Sequence, residues 1–170
     1  SMSWKDAEDL GKKWGGHFAL NSLYHHLSQP LLRRPDLYNQ YFFNGNELLN
    51  FSLSYSQSYR NFNFFGETPM SDNGALATTN GVLAGLDRKV DLAILYRHFS
   101  RDYHSILSKP IAESSGSRNE KGLYLGLEIR PKTGWILNAY FDIWRHNWLR
   151  FSVDAPSGGY EWFGRLTYRK

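Results

Sequence analysis

The chain has 170 residues, a formal charge of +4 and no cysteine, so it is long enough for one substantial domain. The missing cysteine excludes disulfide frameworks, thiolate metal sites and cysteine nucleophiles. Its 20 Lys and Arg are dispersed, unlike the clustered basic face of a nucleic-acid binder.

Aromatics are abundant, with eleven Tyr, eleven Phe and six Trp. Mean hydropathy is −0.54. No apolar run approaches the roughly 20 residues of a membrane helix. A membrane strand needs apolar residues only at alternate positions, so low mean hydropathy leaves that class open. The opening Ser1-Met2-Ser3-Trp4-Lys5-Asp6 lacks the charged, apolar and small-residue order of an export signal. For an exported barrel this implies a removed leader or a piece of a longer chain.

In chain order, residues 1–14 read as a lead-in, with weak helical periodicity over 4–13 interrupted by Asp9-Leu10-Gly11. A strand is expected over 16–25. After a long connection at 27–46, Leu49, Phe51, Leu53 and Tyr55 alternate with Asn50, Ser52, Ser54 and Ser56. A short connection at 56–60 leads to a weaker strand at 61–66. Residues 67–73 form an intermediate connection, and 74–86, rich in Gly, Ala and Thr, is read as a further strand.

Past a short turn at 86–89, Val90, Leu92, Ile94 and Tyr96 alternate with Asp91, Ala93 and Arg97. The connection at 99–121 is long. The clearest strand follows at 122–130, with Leu123, Leu125, Leu127 and Ile129 on one face and Tyr124, Gly126, Glu128 and Arg130 on the other. Pro131-Lys132-Thr133-Gly134 has hairpin turn chemistry. Trp135, Leu137, Ala139, Phe141 and Ile143 then alternate with Asn138, Tyr140 and Asp142. A long connection at 145–159 precedes a last strand, where Tyr160, Trp162, Gly164, Leu166 and Tyr168 alternate with Glu161, Arg165, Thr167 and Arg169.

The pattern is all-β and antiparallel, with about eight strands in 15–170. Alternation alone suits a soluble sandwich or barrel equally. The short-long rhythm of connections favours an up-and-down transmembrane β-barrel, whose turns are short on one side and whose loops are long on the other. Both chain ends then fall on the short-turn side. The ending Leu166-Thr167-Tyr168-Arg169-Lys170 lacks a terminal aromatic residue, which favours a segment of a larger barrel. Trp135, Trp144, Tyr160 and Trp162 near strand ends suit an interfacial aromatic girdle.

The polar positions Asp91, Arg97, Glu128, Arg130, Asp142 and Arg165 are expected to face the lumen, as a polar channel or a salt-bridge network. Asn119, Glu120 and Asp154 are candidate contacts at the external loops. No catalytic residue, metal or cofactor is assigned, and no enzyme activity is expected. His25 and His26 are adjacent and would face opposite sides of a strand; His98, His104 and His146 read as solvated residues at loop rims. Ser114-Ser115-Gly116-Ser117 has loop composition, and no G-x-S-x-G elbow occurs.

Asn119-Glu120-Lys121-Gly122-Leu123-Tyr124-Leu125-Gly126, Tyr140-Phe141-Asp142-Ile143-Trp144 and Val153-Asp154-Ala155-Pro156-Ser157-Gly158-Gly159-Tyr160-Glu161 resemble the C-terminal barrel of a Bacteroidota family. Phe65-Gly66-Glu67 and Leu95-Tyr96-Arg97 are similar to the same family, which is labelled helix-hairpin-helix domain-containing. The resemblance runs from about Gly15 to the end. It implies a bacterial outer-membrane location and a barrel larger than these strands. The leading expectation is a channel, uptake component or scaffold of a surface assembly, with outer-membrane lipid and other outer-membrane or periplasmic proteins as partners. Contact with DNA belongs to the family's helix-hairpin-helix part, of which this sequence has no counterpart. The alternatives are a soluble β-barrel or sandwich binding an apolar ligand, and an outer-membrane enzyme.

Overall fold

The computed structural model describes residues 14–106, 111–113 and 116–170. The expected helical lead-in at 4–13, and Ser114 and Ser115, lie outside the described residues. The fold is one antiparallel sheet whose spatial order follows the chain. Its strands are β1 (Trp14–Leu31), β2 (Gly45–Tyr59), β3 (Phe62–Ser71), β4 (Ala77–Asp87), β5 (Val90–Phe99), β6 (Glu120–Ile129), β7 (Trp135–His146) and β8 (Ser157–Tyr168). One 3-10 turn, Leu37–Asn39, is capped by Asp36 and is the only helical element among the described residues. None of the described helices is long and apolar enough to cross a membrane.

Connections at 60–61, 88–89 and 130–134 lie at one end of the sheet, and those at 32–44, 72–76, 100–119 and 147–156 at the other. Arg60 takes a positive φ of 54°, which lets 60–61 close β2 onto β3 in the register Tyr59↔Phe62.

Several strands are longer than the sequence pattern predicts, two of them through a proline. β1 continues to Leu31, with an irregularity between His26 and Leu31 that absorbs Pro30. β3 continues through 67–71, most of the connection expected at 67–73. Pairing of β3 with β4 ends at Glu67↔Thr79, while pairing with β2 runs on to Asn50↔Ser71. Beyond Glu67 the side of β3 facing β4 keeps the isolated bridge Met70↔Leu76, so Pro69 lies at a break in that ladder, where a missing N–H is tolerated.

The register sorts the side chains into two faces. One carries Phe18, Leu20, Phe51, Leu53, Ile94, Leu123, Leu125, Phe141, Ile143, Trp162 and Leu166. These are exposed, Leu20 by 85%, Trp162 by 74% and Phe18 by 70%. The opposite face carries Asn50, Ser52, Ser54, Glu67, Arg97, Glu120, Asp142 and Glu161. That face is concave: a cleft of about 700 Å³ is lined from Ser58 on β2 to Phe163 and Arg165 on β8. The described sheet is open, because β1 and β8 do not pair. A small apolar cluster of Ala75, Ala77, Phe99 and Tyr103 packs with Ala112 at the long-loop end. Tyr103 and Ala112, from the connection after β5, thus pack beside Ala77 and Phe99 at that end of the concave face.

Candidate functional site

The concave face holds two charged groups of different character. Near the long loops, Arg97 donates from Nε to Glu120 at 2.6 Å and from Nη1 to Asp142 at 2.9 Å. The side chains of Arg97 and Glu120 are fully buried, and that of Asp142 is 18% exposed. Glu120 also accepts from the backbone N–H of Glu113 at 3.1 Å, which ties the connection after β5 to the network. In this low-dielectric setting the three groups must stay paired, since a single buried charge costs several kcal/mol.

Gly122 makes this geometry possible. It faces Arg97 across β5 and β6, and a Cβ there would lie 2.6 Å from the guanidinium carbon. Arg97 is anchored at two carboxylates, so it cannot swing aside cheaply. Gly122→Ala is expected to lower stability by about 1–3 kcal/mol, the usual cost of overpacking. In an Arg97→Ala background the same change should cost much less, a coupling read by urea titration of all four proteins.

At the short-turn end, Arg130 meets Asp91 at 2.5 Å and Glu128 at 2.7 Å. These side chains are roughly half exposed. Such pairs contribute at most about 1 kcal/mol each. Tyr140 donates its hydroxyl to Glu161 on the neighbouring strand and stacks against Phe163 at 5.4 Å. Asn138 and Arg165 face each other in the same cleft. The register places Asp91, Arg97, Glu128, Asp142 and Arg165 on the concave face, and Arg130 reaches it through its two carboxylates.

Two assignments need correction. Glu120 is 1% exposed and belongs to the buried Arg97 network, so it presents no external contact. Trp144 lies on the concave side, its indole over Gly159, whereas Trp135, Tyr160 and Trp162 lie on the apolar face. Counting in twos from Glu128 reaches Glu120, and from Asp142 reaches Trp144; that parity was the available signal. Asn119, with φ 55°, accepts from the Trp148 N–H at 2.8 Å and donates to its carbonyl at 3.0 Å. It fastens one loop to another. Asp154 is exposed in the 147–156 loop.

The long loops form a joint cap that the sequence pattern did not reveal. Trp148 donates its indole N–H to the Leu37 carbonyl at 3.1 Å and meets the Tyr41 ring edge-on at 5.3 Å. Tyr38 packs edge-on against Phe151 at 5.6 Å, and His104 meets the Tyr41 carbonyl at 3.1 Å. The connection after β1 therefore touches the connection after β7, which requires strong curvature of the sheet. His146, expected to be solvated, is 1% exposed and donates from Nδ1 to the Asn119 carbonyl at 2.9 Å. His25 and His26 take opposite faces, opposite Leu48 and Glu47. His98 is partly buried opposite Lys121.

Beneath this cap is a cavity of about 320 Å³, lined by Arg101, Arg118, Arg150, Trp148, His146 and Glu113 among others. Arg101 stacks over Tyr41 at 4.4 Å and Arg118 over Phe42 at 3.4 Å. Burial, reinforced by the charge of Arg33, pulls the Arg118 guanidinium down to about 10. It remains charged at neutral pH. Comparison with protein-family models, with curated proteins and with solved structures gives no match.

Proposed function

We propose that this chain forms part of the wall of a bacterial outer-membrane β-barrel and acts there as an uptake or scaffold component. The observation that carries the reading is the sorting of faces: large apolar side chains on the outside of a curved sheet, charged and amide side chains within. A water-soluble sheet places its apolar face on a core, and an exposed apolar face of this extent needs a cover. Lipid is the cover that fits a face running across all eight strands.

The open edges support a larger barrel. In hydrocarbon every backbone N–H and C=O must be paired, so β1 and β8 require further strands beside them. Between an open channel and a closed component, the buried Arg97 network and the packing of Tyr103 and Ala112 beside it favour the closed one.

Quenching by brominated lipid tests the reading. In variants retaining one tryptophan each, Trp135 and Trp162 are expected to be quenched strongly and Trp148 weakly. A protein that purifies as a monodisperse monomer without detergent, with no lipid quenching at Trp162, would overturn it.

A further inference from the structure

We propose that the cavity beneath the long loops is a binding site for an acidic sugar, a hydroxyl-bearing ring with one carboxylate or phosphate. Arg101, Arg118 and Arg150 line it. Among the described residues, none of the three makes an ion pair, and Glu113 is the one carboxylate lining the cavity. Two of these guanidinium groups lie on aromatic rings, an arrangement that holds the planar N–H fork in place for an anion. The depressed proton affinity of Arg118 has the same origin, a partly buried cation near Arg33 without a compensating anion.

A bare anion would leave part of the site unused. Tyr38 and Phe151, which also line the cavity and carry no guanidinium on their rings, offer apolar surface of the kind on which the C–H face of a sugar packs. His146 supplies an independent polar signal. Its Nδ1–H is committed to the Asn119 carbonyl, so the neutral ring presents Nε2 as an acceptor. That atom is buried without a hydrogen-bond partner. A sugar hydroxyl donates to such an acceptor, whereas a fully ionised anion does not. The volume of about 320 Å³ lies at the lower end of small-ligand pockets and suits one ring rather than an oligosaccharide. The site rests on the cap alone and stands whether or not the sheet is lipid-covered.

The test is calorimetry and Trp148 fluorescence on the full chain folded in detergent micelles. The probes are glucuronate, glucose 6-phosphate, glucose and inorganic phosphate. Saturable binding of glucuronate or glucose 6-phosphate is expected, at least about tenfold tighter than either glucose or phosphate. Arg118→Gln and Arg101→Gln should each weaken it about tenfold, the worth of one charge-assisted contact. His146→Phe should weaken the acidic sugar more than it weakens phosphate. Arg165→Gln, at the other end of the sheet, should have no effect. If Arg118→Gln does not fold, as judged by circular dichroism, Arg101→Gln decides. Absence of saturation with both acidic sugars would overturn the proposal. So would phosphate binding as tightly as they do, or equal losses in Arg165→Gln and Arg118→Gln.

Discussion

Replacing Arg97 with alanine is expected to destabilise the fold by about 3–5 kcal/mol, because it strands two carboxylates in a site built for their cation. Glu120 has no exposure and Asp142 little, so neither can recover its solvation by turning outward. Glu120→Gln should cost less, since Asp142 still neutralises Arg97 and the amide can still accept from Nε. Replacing all three by apolar residues of similar volume should restore much of the loss, as removing a whole buried charge group leaves no orphan. The measurement is the urea midpoint of folding into lipid vesicles, with the slope checked for constancy. An Arg97→Ala protein within about 0.5 kcal/mol of the parent would mean that water reaches the network, and with it that the concave face is open at this end.

The same network shows how far the sequence could be read. Strand alternation put Asp91, Arg97, Glu128 and Asp142 on one face because parity is a local property that one residue passes to the next. Partner choice is not local. Arg97 and Asp142 are brought together by the pairing of β5 with β6 and β6 with β7, and no spacing in the chain encodes a 2.9 Å contact. Glu120 was misplaced because it borders a long connection, where exposure is the ordinary expectation. Its burial comes with the Arg97 pairing and the hydrogen bond that it accepts from the Glu113 N–H. His146 was misjudged for the same reason. The cap, made from three connections far apart in sequence, left no periodic trace at all, yet it holds the cavity richest in unpaired arginine.

A charge placed on the outer face distinguishes a face covered by lipid from one bathed in water. Leu125 lies at the middle of β6, paired with Ile94 on one side and Phe141 on the other, all on the apolar face. Leu20, on β1 opposite Leu53, is 85% exposed. In water, Leu20→Arg touches nothing and should change stability by less than about 0.5 kcal/mol. In a bilayer the same substitution puts a cation against hydrocarbon and should cost about 2–4 kcal/mol at mid-depth. Leu125→Arg should cost a similar amount, and the same change at Leu123, the next outward position toward Lys121, should cost less, because that end of β6 already carries a charge on this face. The depth dependence matters more than any single value, since packing defects also destabilise but do not scale with distance from the strand centre. A flat profile along β6, together with a silent Leu20→Arg, would show that water bathes this face. A profile peaking at Leu125 would show that the exposed leucines and phenylalanines are solvated by lipid.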